Sequence, residues 1–268
     1  MYENCQFCSS LLNNISKKFL VCQNCAVIFN LNYQVTSYED SYFENEYKNQ
    51  YGKSYIDDKI NLQKKMAHRL EVFKKYFKNN SGNKKLLEIG SAAGFFIELA
   101  RESGFDAEGW EVSKYMSDFA NQNGNKTTTG DFIQLLDFTA HDPYNVIAAF
   151  YVIEHFSNPR FIWGSLSKIL MPKGYLLLAI PCISGPLYTF HRLQWLKTHP
   201  KDHYMDYSHK GIKKISSMFG FKILHMEAEG LHPERFPLGN FPVLRQIYKK
   251  IQQILAYSDT IYVVLQKI

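Results

Sequence analysis

After Asn83, short apolar runs alternate with helix-length segments, and this alternation limits the fold more than any other feature of the chain. Strands are expected at 85–90, 106–111, 126–129, 144–150, 174–181, 220–227 and 259–267. Helices are expected at 94–103, 114–122, 131–136, 159–170, 209–219 and 242–256. Strand–helix alternation of this kind specifies an α/β fold with a mostly parallel sheet covered on both faces. The last run, Asp259 to Lys267, follows a long connection and reads as a terminal strand inserted antiparallel. With 46% hydrophobic and 21% charged residues, a disordered chain is excluded. The 268 residues suffice for one large domain and a small appendage. No apolar run approaches the roughly 18 residues of a membrane span. The start of the chain lacks the basic-then-apolar layout of a secretory signal, so a cytoplasmic protein without membrane partners is expected.

Four of the five cysteines fall in the first 25 residues, as Cys5-Gln-Phe-Cys8 and Cys22-Gln-Asn-Cys25. Two such knuckles can present four thiolates tetrahedrally to one structural Zn²⁺, with the segment from Leu11 to Val21 as the hairpin of a ribbon. A piece this short has no core of its own, so the metal must supply its folding energy. Four sulfur ligands leave no open position for catalysis. The expected units are a ribbon over 1–30, a Tyr-rich linker and helix over 31–80, and the α/β domain over 81–268, with an insertion or cap at 229–258. In the linker, Tyr38, Tyr42, Phe43, Tyr47, Tyr51 and Tyr55 read either as a lid over a ligand or as a clasp for the ribbon. From Asp57 to Lys78, Leu62, Met66, Leu70, Phe73 and Phe77 form one helical stripe, which Asn79 to Gly82 terminates.

The chemistry concentrates at the strand ends. In Leu86-Leu-Glu88-Ile-Gly90-Ser91-Ala92-Ala-Gly94-Phe95, a strand runs into a small-residue turn that opens a helix. Small residues admit a ligand close to the backbone, and free amides at the helix start favour an anionic group. Glu111-Val112 ends the second strand, where a carboxylate can accept both hydroxyls of a ribose. Asp131-Phe132 follows the third strand, an acid and a ring that suit an adenine. Phe150-Tyr151 and Glu154-His155 follow the fourth. Each acid alone could be a helix cap or a solvated charge. Four in order along one sheet edge are harder to dismiss, because open α/β sheets bind ligands there.

These motifs resemble class I S-adenosylmethionine-dependent methyltransferases over residues 84–230 and the final strand. The resemblance implies a seven-stranded Rossmann-like sheet with one antiparallel strand. It also implies S-adenosylmethionine held by Glu88, Gly90, Ser91, Ala92, Gly94, Phe95, Glu111, Val112, Asp131, Phe132, Phe150 and Tyr151. Ala92 stands where many members carry glycine. The Glu154-His155 pair resembles the quinone-type small-molecule branch. The cysteine ribbon, the tyrosines and His203-Tyr-Met-Asp-Tyr-Ser208 resemble sugar and natural-product methyltransferases.

Methyl transfer needs an aligned nucleophile, exclusion of water and sometimes proton removal. His155 and His203 are the candidate catalytic residues, as general base or substrate anchor. Six of nine histidines lie between His191 and His232, but His199-Pro-Lys-Asp-His203 lacks the zincin pattern, so no second metal site is expected there. A small-molecule acceptor, such as a sugar nucleotide or biosynthetic intermediate, is the first reading. An RNA base gripped by the ribbon is the second, allowed by the net charge of +6. A binding protein that has lost activity is the third. The missing Asn/Asp-Pro-Pro-Tyr motif counts against N6-adenine chemistry. Cys182, after the fifth strand, is read as a small buried residue rather than a cytosine nucleophile.

Overall fold

In a computed structural model, residues 3–35, 47–49, 52–78, 82, 84–139, 142–230 and 232–268 are described. Tyr38, Tyr42, Phe43, Tyr51 and most of the Asn79–Gly82 terminator lie outside them. Strands β1 (Asn13–Ser16), β2 (Phe19–Cys22) and β3 (Val27–Asn30) form the ribbon. The α/β part runs α1 (Lys59–Lys74), β4 (Lys85–Ile89), α2 (Phe95–Glu102), β5 (Asp106–Glu111), α3 (Lys114–Gln122), β6 (Thr127–Thr129), α4 (Phe132–Thr139), β7 (Tyr144–Phe150), α5 (Pro159–Ile169) and β8 (Leu170–Pro181). Then come α6 (Pro186–Phe190), α7 (Arg192–Thr198), β9 (Met205–Tyr207), α8 (His209–Met218), β10 (Phe221–Ala228), α9 (Pro242–Leu255) and β11 (Thr260–Lys267).

Seven strands make the main sheet, in the order β10-β11-β8-β7-β4-β5-β6. β8, β7, β4, β5 and β6 are mutually parallel, and β11 pairs antiparallel with both β8 and β10. The terminal strand is therefore inserted as its late position in the chain implied. Neighbouring residues of one strand feed opposite faces, as the two-residue period of a strand requires. Leu87 and Ile89 pack with Ile147, Trp163 and Val263 on one face. Leu86 packs with Phe73, Phe96, Val146 and Tyr262 on the other.

Both predicted appendages join this core. Met66, Leu70 and Phe73 of α1 pack with Phe96 and Leu86. The helix stops at Lys74 instead of running to Lys78, because the Tyr175 hydroxyl receives the Lys78 amide and donates to the Tyr76 carbonyl, drawing the chain out of helical register. Cys5, Phe7, Cys22, Cys25, Val27 and Phe29 share one apolar cluster with the sheet. β3 also pairs antiparallel with β9, Phe29 opposite Met205, which makes a four-stranded second sheet β1-β2-β3-β9. β9, α6 and α7 are too short for a periodicity argument and were not expected from sequence. No described helix is long and apolar enough to cross a membrane.

Candidate active site

The ends of β7, β4, β5 and β6 lie side by side, so every strand-end residue singled out in the sequence reaches one edge. The turn after β4 is built for close approach. Gly90 has φ +70°, and a Cβ there would stand 2.5 Å from the Val152 side chain. Gly94, at φ +75°, starts α2. Ala92 adopts φ +43°, a left-handed conformation that costs an L-residue about 1–2 kcal/mol. That cost is the physical content of glycine being common at this position. The strained turn is held by Glu111, whose carboxylate accepts from the Ala92 amide at 2.8 Å and from the Ser113 amide at 2.8 Å.

Among the described residues, two buried polar atoms in this cradle have no hydrogen-bond partner: Glu88 Oε2 and Ser91 Oγ. Burial pushes the Glu88 carboxyl well above the ordinary range, the nearby Arg69 guanidinium working against it. Such orphaned groups are costly unless a ligand meets them. Phe95 at the head of α2 is stacked by Tyr55 at 5.7 Å, and Tyr47 packs edge-on against Tyr55. Of that aromatic group, Tyr55 thus packs on the residue that opens α2, and Tyr47 packs on Tyr55.

Asp131 follows β6 and caps α4. Its carboxylate accepts from the Gln134 amide at 2.9 Å, and the Gln134 side chain accepts from the Asp131 amide at 2.9 Å. Phe132 packs against Phe156 at 5.2 Å. Val112, beside Glu111, is an exposed apolar side chain at the edge.

On the other flank, Phe150 is buried against Phe96 while Tyr151 is 44% exposed at φ +59°, a strained conformation of the kind that collects at functional sites. Arg69 ties this flank together. It is 3% exposed, donates to both Glu229 oxygens at 2.6 and 2.7 Å, and stands over the Phe150 ring at 4.4 Å. Removing either partner leaves a buried uncompensated charge, a cost of about 3–5 kcal/mol. Sequence reasoning missed Arg69 and Glu229. The available signal was an arginine three residues after Met66, on the apolar side of the α1 stripe.

Beyond β7 the chain turns through Glu154 and His155, and the segment after α7 brings His203 to them. His155 and His203 stack edge-on at 4.8 Å. His155 Nδ1 donates to the Asp202 carbonyl at 3.0 Å. Burial lowers the basicity of His155 against the pull of Asp202. Burial, with His155 adding repulsion, pushes His203 down to about 3. Next to them, His199 Nε2 and Asp206 lie 2.7 Å apart, both nearly sealed from solvent. A cavity of about 160 Å³ opens here, with Cys182, Trp195, His199, His203, Asp206 and Arg235 in its lining. Arg235, from the 229–258 segment, pairs with Asp259 at 2.9 Å and so closes part of the rim.

The sulfur atoms of Cys5, Cys8, Cys22 and Cys25 lie within 4.8 Å of one another, and all four thiols are free of disulfides. Cys8 and Cys22 sulfurs are 3.6 Å apart, close to the roughly 3.8 Å that a tetrahedral ion at about 2.3 Å imposes. The Cys25 amide donates to the Cys22 sulfur at 3.3 Å. Burial holds the Cys5 thiol up at about 11, whereas hydrogen bonds from Ser10 overcome burial and bring Cys8 to about 6.

The ribbon and the residues just after it hold the backbone carbonyls of the histidine segments. Asn30 donates to the His203 carbonyl at 2.9 Å, its amide donates to the Tyr204 carbonyl at 2.9 Å, and the Tyr33 hydroxyl donates to the His155 carbonyl at 2.7 Å.

A family model described as a methyltransferase domain matches residues 59–226. The chain belongs to the methyltransferase-domain family. Its fold is that of a methyltransferase from Archaeoglobus fulgidus described as S-adenosylmethionine-dependent, at 17% identity and TM-score 0.57, covering 83% of this chain and 99% of that one. Magnesium protoporphyrin IX methyltransferase from Synechocystis, solved with bound S-adenosylhomocysteine, matches at 14% identity and TM-score 0.57, covering 85% and 97%. No curated protein matches the sequence. The chain thus has the fold that these S-adenosylmethionine-dependent enzymes share, within the methyltransferase-domain family.

Proposed function

We propose that this methyltransferase methylates a small molecule, a sugar nucleotide or biosynthetic intermediate, seated in the cavity beside His199, His203 and Asp206. The observation that carries the reading is the size of that cavity. At about 160 Å³ it is smaller than the roughly 300–1,000 Å³ of sites for drug-sized ligands, so it admits the reacting group of an acceptor while the rest of a larger molecule would lie outside it.

The cradle fits the cofactor of the family: it combines glycines that a Cβ would crowd, an orphaned Glu88 oxygen and an edge carboxylate. Glu111 would accept from the ribose hydroxyls. The Gly90–Gly94 turn would take the amino-acid end with Glu88. Val112, Asp131 and Phe132 would flank the adenine, and Tyr151 would border the reacting end. Bound S-adenosylmethionine supplies a methyl group on a sulfonium, open to in-line displacement. The chain's part is to orient the acceptor and exclude water. His155 and His203 act as acceptor anchors in this reading. A histidine pushed to about 3 is too weak a base to take a proton from a hydroxyl near neutral pH. The four cysteines hold one structural zinc ion, for which their sulfur spacing is suited.

The test is transfer of label from S-adenosylmethionine into fractionated cell extract. Label in small molecules is expected, and label in RNA with none in small molecules overturns the acceptor assignment. Glu111→Ala should weaken cofactor binding at least about tenfold, the loss of a charge-assisted hydrogen bond of about 1.5–3 kcal/mol. An unchanged Kd refutes the ribose role.

A further inference from the structure

We propose that Glu154, His155 and His203 form a second metal site, which takes a divalent transition-metal cation on the acceptor side of the sheet edge. One ligand atom from each of the three lies within 4.8 Å of the other two. An ion bound tetrahedrally at about 2.1 Å sets its ligands about 3.4 Å apart, so the three must draw in by at most about 1.4 Å.

The decisive group is Glu154. It is 0% exposed, and among the described residues no side chain meets either carboxylate oxygen, its own backbone amide being the one donor that acts on it. An acid buried this way costs several kcal/mol unless something pairs with it. Its environment deepens the problem, because Asp202 and Asp206 are the charged groups acting on it and both have its own sign. A cation resolves both the missing partner and the local excess of acids.

The imidazoles are prepared in the same sense. His155 Nδ1 donates to the Asp202 carbonyl at 3.0 Å, and the Asp202 carboxylate lies 3.5 Å from that nitrogen. Metal-binding histidines make such a bond through the ring nitrogen that does not ligate, which orients the ring and raises its basicity. The ring also donates a hydrogen bond to the Tyr151 carbonyl, a bond that a cation on the same nitrogen would displace. His203 Nδ1 is buried without a partner. Ring packing holds His203 between His155 and His199, edge-on at 4.8 and 5.7 Å.

A competing set, His199, His203 and Asp206, is equally close. There the carboxylate and one imidazole already satisfy each other at 2.7 Å, so the unmet demand lies with Glu154. Two imidazoles and one carboxylate suit Zn²⁺, Mn²⁺, Fe²⁺ or Co²⁺ better than Mg²⁺ or Ca²⁺, which prefer all-oxygen shells. Three protein ligands leave positions for oxygen atoms of an acceptor, a role that rests on the acceptor reading above. The His199–His203 spacing gave no reason to expect a metal here. The site exists because His203 meets Glu154-His155 from a distant segment.

The experiment uses the full chain, washed with a chelator until only the cysteine-bound zinc remains, and titrated with Mn²⁺ by calorimetry and electron paramagnetic resonance. One saturable site is expected. Glu154→Gln should weaken Mn²⁺ binding at least about tenfold, with zinc content unchanged and cofactor binding retained as proof of folding. In the wild type, Mn²⁺ should broaden the imidazole resonances of His155 and His203, a readout independent of any variant. No saturable binding, or equal binding by Glu154→Gln, overturns the site. Binding lost in Asp206→Asn but kept in Glu154→Gln overturns it in favour of the His199 set. Mn²⁺ binding that leaves methyl transfer unchanged keeps the site and overturns only its acceptor role.

Discussion

The two halves of the strand edge are built differently. The cofactor half is local: Glu88 to Phe95 are contiguous, and Glu111 reaches back only as far as Ala92 and forward to Ser113. The acceptor half is a convergence. Glu154 and His155 come from the end of β7, His203 from a segment nearly fifty residues later, and the scaffold that holds them from the first 35 residues of the chain. The Tyr204 amide donates to the Glu154 carbonyl at 2.8 Å, and Asn30 holds the carbonyls of His203 and Tyr204 from the ribbon side. In the acceptor site proposed above, the ribbon would therefore serve as one wall. The comparison teaches that the cofactor half should tolerate loss of the ribbon, and that the acceptor half should not.

The largest effect that can break this contrast is Cys22→Ser. Structural zinc contributes about 10–16 kcal/mol to the folding of small zinc modules, so loss of one ligand should release the ion and unseat β3. Turnover is expected to fall at least about tenfold, because β3 carries β9 and the His203 segment. Cofactor Kd, read by calorimetry, should change less than about threefold, since no cradle residue touches the ribbon through a described hydrogen bond. Equal damage to both would show that the halves are one cooperative unit.

Asn30→Ala sharpens the same contrast more gently. It removes a buried donor to the His203 carbonyl, worth about 1–3 kcal/mol. The KM for the acceptor should rise several-fold while cofactor Kd stays constant. A change in cofactor Kd alone would contradict the assignment of this wall.

The smallest effect probes the cofactor half. Burial raises the Glu88 pKa above its ordinary value near 4.5. The destabilising contribution of Glu88 is then absent below that value, where the folded and unfolded carboxyls are both protonated. The wild type loses stability as pH climbs toward the folded-state pKa, because the unfolded chain ionises first. Glu88→Gln removes this loss, so the variant should gain in Tm relative to wild type at pH 8 but not at pH 4. Each kcal/mol recovered corresponds to about 2–4 °C for a chain of this size. A pH-independent difference in melting temperature would contradict the burial argument.

The strands and helices of the main sheet were legible because each is long enough to show its own period. Leu86 and Leu87 feed opposite faces, and Leu62, Met66, Leu70 and Phe73 form one stripe. What escaped was short or nonlocal. β9 has three residues and no readable alternation. Arg69 sits beside the apolar stripe of α1, but its partner Glu229 is 160 residues away, so the pair is invisible to any local pattern. The α1 stripe revealed a helix but not that it packs into the same core as β4 and β7. Asp131 fitted an adenine contact by position, and its carboxylate also caps α4, a role that only the Gln134 geometry reveals.

Sequence alone determined the parallel sheet, the antiparallel last strand, the turn that receives a cofactor and the four-cysteine ribbon. All of these follow from local periodicity, from glycines whose φ no other residue adopts cheaply, or from short fixed spacings. Tertiary structure alone decided that the ribbon holds the backbone of the His203 segment, and that a buried Glu154 faces two histidines. Burial and electrostatic demand are properties of the packed surroundings, and no stretch of chain carries its surroundings with it.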